Sequence, residues 1–147
     1  MLQIENLSVE FWGETTMRAV KGVSFQVAEG ELYGLVGESG SGKSTVTRAI
    51  TKAVPIPGVI SSGSVFFDGE DILKLDQKSL EKIRWSKIAR VFQSAMSAMN
   101  PVKRIGGQML DVMECHGESG PACQTQIFEW LERVGLESTV VERYPHE

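Results

Sequence analysis

Gly37-Glu38-Ser39-Gly40-Ser41-Gly42-Lys43-Ser44-Thr45 is the stretch around which this chain is read. It has the form G-x-x-x-x-G-K-[ST]. Its glycines allow backbone angles that side chains forbid, so that consecutive N–H groups can turn inward toward an anion. Lys43 then offers a compact positive charge to β- and γ-phosphate oxygens, and the Ser44 hydroxyl is placed to ligate Mg²⁺. Thr45 either joins them or caps the helix that follows. The loop lies between an apolar segment, Leu32-Tyr33-Gly34-Leu35-Val36, and Val46-Thr47-Arg48-Ala49-Ile50-Thr51-Lys52, which meets no breaker before Pro55. The expectation is a strand, a phosphate-binding loop and a helix whose positive end points at the phosphates.

On the N-terminal side, Leu2-Gln3-Ile4-Glu5 alternates apolar with polar, as does the run from Leu7 to Phe11, and both read as half-buried strands. Trp12 to Thr16 breaks the pattern as a loop. Alternation resumes at Val23-Ser24-Phe25-Gln26-Val27. The opening is therefore mainly antiparallel sheet.

On the C-terminal side, Pro55, Pro57 and Gly58 end the helix, and Ser61-Ser62-Gly63 reads as a turn. Ser64 to Phe67 reads as a strand closed by Asp68-Gly69, a favoured hairpin pair. An apolar run followed by Asp could also suggest a Mg²⁺ ligand, but the Gly after the Asp points to a turn. A short helix is expected over 77–85, with Leu80, Ile83 and Arg84 at helical spacing, and a strand over 88–92. Beyond Ser94 the pattern is helical. Ile105 to Glu114 carries Met109, Leu110, Val112 and Met113, and Pro121 starts a helix whose inner face would be Ile127, Trp130, Leu131 and Val134, closed by Gly135. The methionines read as adaptable core filler.

Composition narrows the class. The chain has 147 residues, 41% hydrophobic and 23% charged, which suits one globular domain. A net charge of −4 gives no general electrostatic reason to bind nucleic acid. No apolar run approaches the roughly 20 residues that span a bilayer, and the N-terminus lacks a signal-peptide pattern, so a cytoplasmic setting is expected. Cys115 and Cys123 are too few for a disulfide framework or a four-ligand metal site.

Taken together, the loop from Gly37 to Thr45, the stretch from Gly63 to Leu73, and Ile88-Ala89-Arg90-Val91-Phe92-Gln93 with Met96, Asn100 and Pro101 resemble an ATP-binding cassette (ABC) ATPase. The likeness is greatest to the oligopeptide, dipeptide and nickel permease group, whose chains also run through a segment like Tyr144-Pro145-His146-Glu147. The resemblance covers the chain essentially end to end.

It implies an α/β P-loop NTPase fold, with an N-terminal antiparallel β subdomain and nucleotide loop (residues 1–93) and the start of a helical subdomain (residues 94–147). It further implies ATP and Mg²⁺ as cofactors, bound by Gly37, Glu38, Ser39, Gly40, Ser41, Gly42, Lys43, Ser44 and Thr45. Phe11, or its neighbour Trp12, matches the aromatic that stacks on adenine. Gln93 matches the glutamine that reaches Mg²⁺ and the attacking water, so Lys43 and Gln93 are the candidate catalytic residues and Ser44 and Gln93 the candidate metal ligands. Ser94 and Ala95 depart from the Asp-Pro usual after that glutamine.

Transmembrane permease subunits, a second ATPase subunit and a place on the cytoplasmic face of the membrane are implied partners and location, with no nucleic acid. The family's signature motif, catalytic Glu and switch His follow its Tyr-Pro-His-Glu segment, and none precedes Glu147. The expectation is a partial cassette with a truncated core that binds ATP–Mg²⁺ without efficient hydrolysis. The rival reading is a non-transport cassette serving as a nucleotide-dependent interaction module.

Overall fold

The computed structural model describes residues 1–84, 86–92 and 98–147, in two compact units, Met1–Ala89 and Arg90–Glu147. The two units meet between Ala89 and Arg90; the division expected between residues 93 and 94 lies outside the described residues.

The first unit is built on an antiparallel sheet of four strands: β1 (Leu2–Phe11), β2 (Met17–Val27), β3 (Gly58–Phe67) and the two-residue β4 (Glu70–Asp71), in the order β2-β1-β3-β4. The two short strands expected at the start are one strand with a bulge. Its register against both neighbours shifts between Ile4 and Ser8, and Asn6 takes a φ of 47°. That shift explains the sequence pattern, because the inward set passes from Ile4 to Leu7 and Val9 across three residues where a regular strand would use two. Ser61-Ser62-Gly63 is correspondingly no turn. It lies inside β3 opposite the bulge, where a Cβ on Gly63 would stand 2.6 Å from the carbonyl oxygens of Glu5 and Asn6. Asp68-Gly69 is the hairpin turn expected, with φ values of 49° and 86° between the paired Phe67 and Glu70.

Helix α1 (Lys43–Ile50) follows the loop and buries Val46 and Ala49 against the sheet, where Ile4, Leu7, Val9, Val20 and Val65 complete the core with Ile72 and Leu80. Helix α2 (Gln77–Ile83) starts at Asp76, whose carboxylate accepts the Ser79 N–H at 2.8 Å, and contributes Leu80.

Two expected strands are absent. Residues 32–36 and 89–92 carry no strand hydrogen bonding, and Ile88 makes only an isolated bridge to Arg84. Strand character needs a neighbour to pair with, and no described strand lies beside either segment. Residues 32–36 are held instead through side chains: Leu35 packs on the core, and Tyr33 stacks on Phe25 with ring centroids 4.9 Å apart.

The second unit holds α3 (Ile105–Cys115), α4 (Pro121–Arg133) and a 3₁₀ turn (Ser138–Glu142) around Met113, Cys123, Ile127 and Leu131. Pro121 opens α4 and Gly135, at φ 75°, follows its end, as the sequence suggested. The inner face of α4 differs from the expectation. Cys123, Ile127 and Leu131 form one i, i+4, i+8 row, which turns Trp130 and Val134 outward, 40% and 70% exposed.

Candidate nucleotide site

Gly42 fixes the geometry of the loop. Its φ of 92° lies in the left-handed region, and a Cβ there would stand 2.4 Å from the carbonyl oxygen of Ala19. Only glycine meets both conditions, and its small size lets β2 pass directly against the loop. Gly42 also sets the start of α1, accepting the Val46 N–H at 2.9 Å. No side chain caps that helix end, and no acidic residue stands in its first turn. The first N–H groups and the positive end of the helix dipole therefore remain open to an anion.

Lys43 lies across the loop. Its ammonium donates to the carbonyl oxygens of Gly37 (2.7 Å) and Glu38 (2.6 Å) and to Ser41 Oγ (3.2 Å). These are neutral acceptors, so a phosphate offered at the same place competes with a full charge. The exposed Ser44 hydroxyl has no hydrogen-bond partner among the described residues and stands in the same cavity.

That cavity, of about 280 Å³, is lined by loop residues Gly40 to Thr45 and by Phe11, Met17 and Ala19 of the sheet. Phe11 closes β1 opposite Met17 at the start of β2. Its ring occupies the space beside Gly58, where a Cβ would come within 2.8 Å of Phe11 Cε1. Of the two candidate aromatics the structure thus brings Phe11 to the loop. Trp12, 57% exposed, does not line the cavity, although its N–H donates to Pro57 O at 3.2 Å. Gly37 and Glu38 contribute carbonyls to Lys43, Ser39 is exposed, and Gln93 lies outside the described residues. Met17 and Ala19 escaped the sequence reading, because what places them is the cross-strand register of the first hairpin.

The uncapped helix start, glycine cradle and inward lysine fit a polyphosphate, and the fold is of the P-loop NTPase class. Comparison with known proteins makes this particular. Residues 20–147 match the family model described as ABC transporter, and the chain belongs to that family. It is 35% identical over its whole length to the oligopeptide transport ATP-binding protein OppD of Bacillus subtilis and 35% identical to the dipeptide transport ATP-binding protein DppD of Haemophilus influenzae. It covers 42% and 46% of those two proteins, so it spans under half the length of these relatives.

Among solved structures, the ATP-binding cassette MJ0796, described as a dimer in a post-hydrolysis state bound to ADP and phosphate, superposes with a TM-score of 0.83 at 28% identity. The match takes in 99% of this chain and 62% of that one. The sequence-based expectation of an ABC ATPase-like P-loop fold is thereby met. No helix among the described residues is long and apolar enough to cross a membrane.

Proposed function

We propose that this chain is the nucleotide-binding portion of an ABC importer ATPase, holding ATP–Mg²⁺ to drive uptake of peptides or a related solute. The observation that carries the reading is the single cavity in which Phe11 meets the loop residues Gly40 to Thr45. Phe11 offers a face for adenine, the loop amides and Lys43 take the phosphates, and Ser44 would hold Mg²⁺, with Gln93 as a second ligand. The bound Mg²⁺ would neutralise charge on the phosphates.

The chain's own residues orient the nucleotide, and its phosphates would draw Lys43 away from the Gly37 and Glu38 carbonyls. No carboxylate is among the residues that line the cavity, and turnover by this chain alone is expected to be negligible. We infer permease subunits as partners, at the cytoplasmic face of the membrane, from the transport ATP-binding relatives, and a second ATPase subunit from the dimeric cassette. The relatives favour this reading over a non-transport interaction module.

Calorimetric titration with ATP and Mg²⁺ tests it. Saturable binding is expected, weakened at least about tenfold in Lys43→Ala, whose charge the phosphates lose. Phosphate release should stay at the level of that variant. Equal binding by wild type and Lys43→Ala would overturn the reading, and turnover abolished by Lys43→Ala would overturn its second half.

A further inference from the structure

From Gly58 to Val65 the far edge of β3 has no strand beside it among the described residues: β3 pairs with β1 on one side, and on the other with β4 at Phe66 and Phe67 alone. Alternate backbone groups along such an edge point outward. The Val65 N–H does, and there the Asp71 carboxylate accepts it at 3.4 Å, taking the part of a neighbouring strand's carbonyl. Exposed edges are ordinarily blunted by charge or proline. Gly58–Phe67 contains neither.

A gap of about 500 Å³ adjoins this edge, lined by Ile60, Val54 and Leu73 together with Lys52, Ser61 and Ser62. Ile60 lies opposite the buried Val9, and Ile60, Val54 and Leu73 all pack against the core of the first unit, so the gap exposes core surface where the sheet stops. Among its lining residues only Lys52 is charged, and its ammonium donates to one neutral acceptor, Leu75 O, at 2.9 Å. Ser61 and Ser62 also line a second groove with Glu10, Arg18 and Lys21. Glu10 pairs with Arg18 at 2.8 Å, which leaves Lys21 as excess positive charge.

We propose that this edge is a peptide-docking site, where an extended, acidic segment of another protein joins the sheet beside β3. Its backbone meets the open groups of Gly58–Val65. Alternate apolar side chains enter the gap over Ile60 and Leu73, and the carboxylates between them answer the positive charge of Lys52 and Lys21. The proposal is independent of the nucleotide reading, since none of these residues lines the nucleotide cavity.

Fluorescence anisotropy on the whole chain tests it, with a dye-labelled synthetic peptide of about eight alternating valines and glutamates as the probe. Saturable binding is expected, and the same peptide with lysine for glutamate should bind at least about tenfold more weakly. N-methylation of every second amide, in either phase, gives two further peptides. One should lose binding and the other keep it, because an added strand uses only one of its edges. Lys52→Glu should weaken the acidic peptide by at least about fivefold and improve the lysine peptide. Ser61 is exposed, so Ser61→Glu does not threaten the fold, and it should weaken the acidic peptide as well. Absence of binding, equal binding of the acidic and lysine peptides, or equal effects of the two methylation patterns would overturn the proposal. So would binding untouched by both substitutions, which would put the peptide elsewhere. Light scattering in which mass rises with concentration for wild type but not for Ser61→Glu would give the edge to a second copy, and would overturn it too.

Discussion

At the scale of single residues, the loop shows how two glycines in one motif differ. Gly40 has a φ of 81° but open space around its missing Cβ, whereas Gly42 combines φ 92° with a backbone oxygen 2.4 Å from where a Cβ would stand. Gly40→Ala should cost about 1 kcal/mol of strain and leave the loop able to form. Gly42→Ala adds the displacement of Ala19, and with it β2, and should cost at least about 2 kcal/mol. Urea midpoints for the two variants, with tripolyphosphate titrations, measure this. Similar losses for both would show that conformation alone, without the contact to Ala19, makes Gly42 necessary. The residues of the loop were legible from their spacing, because local backbone chemistry dictates them. Phe11 was legible only through family resemblance, and Met17 not at all, since its place depends on a partner strand.

At the scale of elements, hydrophobic period located the helices and the strands of the antiparallel sheet but misjudged the punctuation. Asn6 and Ser61-Ser62-Gly63 looked like breaks because bulges and turns use the same residues. Here hydroxyls occupy the bulge: Ser24 Oγ accepts the Asn6 N–H at 2.8 Å, and Ser8 Oγ accepts the Gly22 N–H at 3.0 Å. Arg84 was read as one more residue on the α2 repeat, yet its guanidinium caps α1. It donates to Thr51 O at 2.8 and 3.2 Å and to Lys52 O at 3.1 Å, meeting carbonyls at the negative end of the dipole. Arg84→Ala should lower stability by about 1–2 kcal/mol, and Arg84→Lys, a point charge without the fork, should recover only part of it. Full recovery by Lys in thermal or urea melts would mean that charge, not hydrogen-bond geometry, is what α1 needs.

Asp71 joins β4 to the 3₁₀ turn over Ile72–Lys74. Its Oδ1 accepts the Leu73 N–H at 3.1 Å and the Val65 N–H at 3.4 Å, and its Oδ2 lies 3.1 Å from Lys74 Nζ. Burial raises its pKa, but the Lys74 ammonium and the two backbone donors together outweigh burial and hold the carboxyl below 3.8. A carboxyl with a depressed folded-state pKa adds stability that is fully present above its unfolded pKa and is lost as pH falls through the folded value. Asp71→Asn should therefore cost about 1 kcal/mol at neutral pH. The gap from wild type should begin to close near pH 3.8 and vanish below it. A gap that stays constant on acidification would remove the charge from the account.

At the scale of the whole molecule, fold class and family were legible because several motifs recur in one order along the chain. The segment entering the loop was not, because a strand is a relation between segments and apolar content cannot supply the missing neighbour. Residues 32–36 keep Leu35 and Tyr33 on the first unit while Leu32 and Val36 stand 100% and 90% exposed. Two apolar side chains on a segment with unpaired backbone favour pairing with a second molecule, and no charged residue within 32–36 opposes it. Light scattering should show mass rising with protein concentration. The double variant Leu32→Lys, Val36→Lys should abolish that rise, since like charges would then meet across the pairing. Neither residue lines the nucleotide cavity, so tripolyphosphate binding should survive in the variant. A wild-type chain that stays monomeric at its highest attainable concentration would show that the docking of Tyr33 and Leu35 already protects the segment, and association that persists in the double variant would place the sticky surface elsewhere.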